Sequence, residues 1–268
     1  MRWTSLTLAA IACSACVTFV GCGAFSSTPA GDAGVEGGAL ADGALVDGGS
    51  LVDGAAQSDG VAPCGTFCDG FERAANDVLG PWDRMDSTAG SLELLGDPAG
   101  PGTVLAVTNK PPLNGGSSKV ALYKALPAAP KTRLSFSFRV FVRSAPTPGK
   151  QLQLFYVDLP GTPTTSRVSL ELKDGELRIA ERTGDGPYDY PGSLAVGQLV
   201  GAGWHAIDGS VRRGTASWQV ALRVDSVGGS QLALSITSPA SANVALGDHA
   251  TSEAQGSMLY DDVRVDVE

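Results

Sequence analysis

Leu134-Ser135-Phe136-Ser137-Phe138-Arg139-Val140-Phe141-Val142 is the stretch that decides the fold. Phe136, Phe138, Val140 and Val142 fall on one side of an extended chain, and Ser135, Ser137 and Arg139 on the other. A period of two means a half-buried β-strand. Arg167 to Lys173 repeats the pattern, with Val168, Leu170 and Leu172 on one face. Trp218 to Val224 does so again, with Trp218, Val220, Leu222 and Val224 together and Gln219 and Arg223 opposite. Further strand candidates are 67–72, 91–95, 103–108, 119–126, 151–158, 176–182, 205–212, 231–237 and 258–267. Turn signals punctuate them: Pro98 to Gly102, Asn114-Gly115-Gly116, Lys173-Asp174-Gly175 and Gly228-Gly229. Lys-Asp-Gly between two alternating runs predicts a hairpin over 167–182. About a dozen short strands and no long amphipathic helix predict an all-β, two-sheet antiparallel sandwich or jelly roll over 64–268.

Phe67-Cys68-Asp69-Gly70-Phe71-Glu72 followed by Trp82 resembles the opening strand of concanavalin A-like (laminin G-like) jelly rolls. Ala202-Gly203-Trp204-His205 with Val224-Asp225 resembles their middle, and Tyr260-Asp261-Asp262-Val263 their closing strand. The resemblance spans 67–265, and its short motifs speak to fold more than to function. It implies that the first and last strands are neighbours, which brings Asp69 and Glu72 near Asp261 and Asp262. Oxygen ligands from adjacent strands suit calcium, so these four are a candidate structural calcium site. The competing reading is that they cap strand ends by accepting hydrogen bonds from backbone N–H groups.

Outside the sandwich, Met1-Arg2 and the apolar run from Trp3 to Val20 have the form of a secretion signal. Phe19-Val20-Gly21-Cys22 resembles the lipobox of bacterial lipoproteins. That resemblance implies removal of residues 1–21, lipidation of Cys22 and anchoring to a bacterial membrane, the outer membrane or cell surface being favoured. Cleavage by an ordinary signal peptidase beyond Cys22 is the alternative. Residues 22–63 then form a tether: from Gly23 to Pro63 there is no Lys or Arg, and Asp-Gly recurs at 42–43, 47–48, 53–54 and 59–60. Such a segment buries too little apolar surface to offset its ordering entropy. As a random coil it spans roughly 35 Å. One carboxylate per repeat is too few for a calcium loop.

Two of the five cysteines, Cys13 and Cys16, lie inside the signal. With Cys22 acylated, Cys64 and Cys68 remain, and an exported protein pairs them. Their Cα atoms must come within about 4.4–6.8 Å, so Gly65-Thr66-Phe67 must turn. Zinc held by Cys64, Cys68, His205 and His249 is the weaker alternative, because export disfavours thiolates.

A net charge of −9 excludes a general nucleic-acid binder. The Glu-x-Asp-x-Glu strand of laminarinase-like jelly rolls, which sets two carboxylates at glycosidase spacing, does not occur. Alginate-lyase-type jelly rolls use Arg, Gln, His and Tyr on their concave sheet. Gln153, Arg167, Tyr188 and Tyr190 are of those types, but the family's motifs do not match. Arg139, Arg143, Arg167, Lys173, Arg178, Arg182 and Arg223 lie on the polar sides of strands and form a basic groove if they share one sheet. Arginine forks there suit an acidic polysaccharide, with Tyr188 and Tyr190, in a loop over 186–191, stacking on sugars. Cross-strand pairing with Glu171, Glu176 and Glu181 is the competing reading. From the sequence, then, the expectation is not an enzyme but a membrane-anchored, non-catalytic domain that binds carbohydrate or another envelope component. A structural or adhesive surface protein, or a carbohydrate-active enzyme, is the alternative. No cofactor is required beyond the candidate calcium.

Overall fold

The computed structural model describes residues 64–111, 119–184, 188–194, 199, 201, 203–248 and 255–268. The signal segment, Cys22, the tether and His249 lie outside the described residues. The described residues are all-β, with every strand pairing antiparallel. One sheet has eight strands. Its path is β14 (Val227–Ala233), β13 (Trp218–Val224), β12 (His205–Arg213), β6 (Arg133–Ser144), β17 (Gly256–Val267), β4 (Thr103–Asn109) and β3 (Gly90–Gly96), and β1 (Phe67–Asp69) also pairs with β17. The second has seven: β11 (Tyr188–Leu194), β10 (Glu176–Thr183), β9 (Ser166–Lys173), β7 (Gln151–Leu159), β16 (Asn243–Asp248), β5 (Val120–Ala125) and β2 (Arg84–Ser87). A short pair, β8 (Gly161–Thr162) with β15 (Ser238–Pro239), completes the set.

The apolar faces read from sequence are the core. Phe136, Phe138, Val140 and Val142 of β6 are all buried, as are Val168, Leu170 and Leu172 of β9. Phe136 and Phe138 meet Phe155 of the other sheet at ring-centroid distances of 4.6 and 5.3 Å. The hydroxyl of Tyr260 donates to the Leu154 carbonyl at 2.9 Å, so the one buried O–H there is satisfied across the sandwich. Asn109 of β4 donates to buried Asp248 of β16, a second polar bridge between the sheets.

The predicted 167–182 hairpin forms as β9 and β10, turning at Asp174 and Gly175 with φ of +50° and +85°. Both central residues of such a turn need positive φ, which Asp-Gly supplies. The turn expected at Gly228-Gly229 is instead at Asp225 and Ser226, with φ of +48° and +67°, and 228–229 continue β14. The loop expected over 186–191 is strand from Tyr188 onward. Pro191 is tolerated there because β11 is an edge strand. In β7 the register shifts between Gln153 and Phe155, so Leu154 and Phe155 both enter the core. That bulge fixes which way Gln153 faces.

Candidate active site

The outer face of the seven-stranded sheet carries the polar side chains left by the alternation. β9 supplies Arg167, Ser169 and Glu171, whose odd-numbered positions alternate with the core residues Val168, Leu170 and Leu172. β7 supplies Tyr156 opposite Ser169, Asp158 opposite Arg167, and Gln153 opposite Glu171. β10 adds Arg178 opposite Glu171 and Arg182 opposite Arg167. Between these stand small residues: Ala180 opposite Ser169, and Ala245 opposite both Tyr156 and Tyr123. The result is a floor of small side chains crossed by aromatic and charged ones.

Outer faces of antiparallel sheets are usually solvated. Here Gln153 and Ser169 are 0% exposed, Glu171 1% and Tyr156 3%. Burial of polar groups is costly unless they are hydrogen-bonded, and two members of the group bond each other. The Gln153 amide donates to Ser169 Oγ at 2.7 Å. Arg167 makes a two-pronged pair with Asp158, Nε to Oδ1 at 2.5 Å and Nη2 to Oδ2 at 2.8 Å. The same guanidinium lies 4.4 Å from the Tyr156 ring centroid. Tyr123 meets Tyr156 edge-on at 6.3 Å, and Arg84 covers Tyr123 at 4.1 Å. Burial pushes the Tyr156 phenol well above its ordinary value, with Arg167 pulling weakly the other way. Tyr156 is therefore protonated at neutral pH. Glu171 is its diagonal neighbour across the β7–β9 ladder, within reach of long side chains.

The residues expected to share one groove are divided between the sheets. Gln153, Arg167, Arg178 and Arg182 face out from the seven-stranded sheet, whereas Arg139, Arg143 and Arg223 belong to β6 and β13 of the eight-stranded sheet. Arg139 is occupied locally, pairing with Asp261 at 3.2 Å and lying 4.7 Å from the Trp204 ring. Tyr188 is in register with Arg182, and Tyr190 falls in the irregular stretch between Asp189 and Gly192. Tyr156, Ser169 and Glu171 were not among the residues expected. The signal for Ser169 and Glu171 was present in the Arg-Val-Ser-Leu-Glu-Leu-Lys alternation, but nothing local says that this polar face is covered.

The four carboxylates considered for calcium lie on neighbouring strands as expected, with Asp69 opposite Val263. They serve the protein's own donors. Asp69 accepts from the Phe71 N–H at 2.8 Å, Arg73 Nη1 at 2.5 Å and Trp82 Nε1 at 2.7 Å. Glu72 accepts from the Thr103 N–H at 3.1 Å. Asp261 accepts from Arg139 and from the N–H of Asp262, and Asp262 lies 3.6 Å from Arg139. Among the described residues no group of three or more His, Cys, Asp or Glu converges as a metal site. Cys64 and Cys68 form a disulfide with Cα atoms 5.7 Å apart, stapling the entry to β1. His205 bonds through Nδ1 to Asp225 at 2.7 Å, which ties the β13–β14 turn to β12. Burial works against the charged Asp225 carboxylate. The bonds from His205 and the Ala206 N–H outweigh it and hold the group below its ordinary value.

No family model matches the chain, and no curated protein matches it in sequence. Solved structures do share its fold. A cellulose-induced protein aligns with a TM-score of 0.53 at 10% identity, over 74% of this chain and 96% of its own. An alginate lyase from Chlorella virus aligns with a TM-score of 0.51 at 9% identity, over 70% of this chain and 94% of its own. An alginate lyase of polysaccharide lyase family 7 aligns at 0.49 and 10% identity, over 76% and 93%. At these identities the likeness establishes the jelly-roll sandwich. It also corrects the expectation of a non-catalytic binding domain that is not an enzyme. A solved structure of this architecture is itself an alginate lyase, so the sandwich is no ground for excluding catalysis.

Proposed function

We propose that the protein is a carbohydrate-active enzyme that cleaves an acidic polysaccharide over the outer face of the seven-stranded sheet. The observation that carries this reading is the covered polar group of Gln153, Tyr156, Ser169 and Glu171, rimmed by the partly exposed Arg167 and Arg182. A sheet face needing only solubility has no reason to bury an amide, a hydroxyl, a phenol and a carboxylate together. Perturbed and buried titratable groups mark functional sites.

The chemistry these groups suit is β-elimination from a uronate. Arg182 and Arg167 on the rim face the sugar carboxylate and stabilise charge developing on it, with the Gln153 amide beneath them. Glu171 takes the proton from the carbon next to that carboxylate. The C–H electron pair forms the new C=C bond, and the neighbouring glycosidic C–O bond breaks, its electron pair leaving on oxygen. Tyr156, kept protonated by burial, gives its proton to that oxygen. Water later exchanges the proton from Glu171 to Tyr156. Two-carboxylate hydrolysis fits less well. Asp158 is four residues from Glu171's level along the ladder, about 13 Å, and is clamped by Arg167.

The location belongs to the same proposal: residues 1–21 direct export, Cys22 carries lipid, and 22–63 hold the domain off a bacterial membrane surface. The test is incubation with a panel of neutral and uronate polysaccharides, following new reducing ends and ultraviolet absorbance of the conjugated product. Reducing ends with absorbance are expected. Reducing ends without it would move the reaction to hydrolysis, and neither with any polysaccharide would overturn the enzyme reading.

A further inference from the structure

The opposite side of the sandwich holds a second polar trough. Across the outer face of the eight-stranded sheet runs a row of small residues, with Ser135 of β6 opposite Ser210 of β12, and Ser210 opposite Ala221 of β13. Gln231 of β14 stands opposite Ala221 and closes the row. Two residues along the strands in one direction, Arg133 stands opposite Arg212. Two residues in the other direction, Asp208 stands opposite Arg223. A low floor between taller walls results, and it encloses a cavity of about 420 Å³ lined by all three arginines. The walls are four residues apart along each strand, about 13 Å, and the floor crosses four strands at about 4.8 Å spacing.

Charge sets this trough apart. The protein carries a net charge of −9, and four of its other arginines are spent on acids: Arg73 on Asp69, Arg139 on Asp261, Arg167 on Asp158 and Arg178 on Glu176. Arg133, Arg212 and Arg223 are exposed, and among the described residues none forms an ion pair. Three guanidinium groups therefore face the cavity against the single carboxylate of Asp208. Guanidinium forks bind carboxylate and sulfate groups in two-pronged geometry. Ser210 and Gln231 add hydroxyl and amide partners for sugar hydroxyls.

We infer that this trough is a second polysaccharide-binding site, holding an extended acidic chain by its carboxylate or sulfate groups. It rests on the proposed class of substrate but not on the proposed reaction. Its place on the sheet opposite Glu171 means that it captures polymer without touching the bond that is cut. A floor that crosses four strands suits an extended chain, whereas a single phosphate headgroup would use one arginine pair and leave the floor empty.

The test is affinity electrophoresis of the full chain carrying Glu171→Gln, so that the polymer stays intact, through gels containing alginate or dextran sulfate. The comparison is with the same protein carrying Arg133→Ala, Arg212→Ala and Arg223→Ala. Retardation should weaken at least about tenfold in the triple variant and fall with added salt. A triple Arg→Lys variant, which keeps charge and loses the fork, should fall between the two, and thermal unfolding checks that each variant is folded. Equal retardation of parent and triple-alanine variant would overturn the site. So would loss of binding to anionic lipid vesicles in place of polysaccharide. Arginine-dependent binding without turnover by the parent enzyme would overturn the reaction and leave this site standing.

Discussion

The outer faces of the two sheets solve the same problem in opposite ways. Both are the polar sides of amphipathic strands, and both carry arginine. On the seven-stranded sheet the arginine is paired and the polar groups are covered, as in Arg167–Asp158 beside buried Tyr156, Gln153 and Glu171. On the eight-stranded sheet Arg133, Arg212 and Arg223 are exposed around a small-residue floor. The first arrangement costs desolvation and rigidifies its members, which is what chemistry needs. The second keeps its charges hydrated and suits capture of a polymer. Burial, rather than residue type, separates the two faces.

The largest expected break in this comparison is Glu171→Gln. Removing a positioned base costs about 10²–10⁴-fold in rate, so kcat/KM on a uronate polymer should fall by that much with the melting temperature nearly unchanged. Tyr156→Phe should match it in kcat. A loss explained by unfolding would instead make the cluster structural.

Phe155→Ala probes what the faces share. Its ring packs on Phe136 and Phe138 across the sandwich, so truncation should cost about 3–5 kcal/mol in denaturant unfolding. Both sites should be lost together. Asp69→Ala should cost less, about 1–3 kcal/mol, because it strands the donors of Trp82 and Arg73. Calcium should not restore that loss, and chelator should not shift the melting temperature of the parent.

The smallest effect is at Asp261. Burial, and then the neighbouring Asp262, raise its carboxyl to about 6, against the pull of Arg139 and the Asp262 N–H. Between the unfolded value of 3.8 and about 6 the folded protein binds a proton that the unfolded chain does not. Stability from this group therefore rises as pH falls through 6 and levels off below 4. Melting temperatures of Asp261→Asn across that window should lack this component of the slope. A parent whose slope is unchanged by the substitution would place the proton elsewhere.

The fold was legible wherever each strand had one wet face and one dry face. β6, β9 and β13 alternate cleanly because their Phe, Leu and Val side chains fill the core. β16 escaped because Val244, Ala245, Leu246 and Gly247 are covered on both sides, which removes the alternation. The β13–β14 turn was misplaced because Asp225 and Ser226 take positive φ without glycine. The candidate site was legible in part. Gln153 and Arg167 stood out by type, but assigning strands to sheets is a non-local matter, so Arg139 and Arg223 were grouped with them wrongly. Glu171 was read as a charge neutraliser because burial of a strand's polar face leaves no mark in its own residues.

The most direct measurement is a crystal structure of the Glu171→Gln protein with a uronate tetrasaccharide. A sugar ring should lie over Gln153 and Tyr156, its carboxylate toward Arg182. Sugar found only along Arg133, Arg212 and Arg223, with that face of the seven-stranded sheet closed, would contradict it.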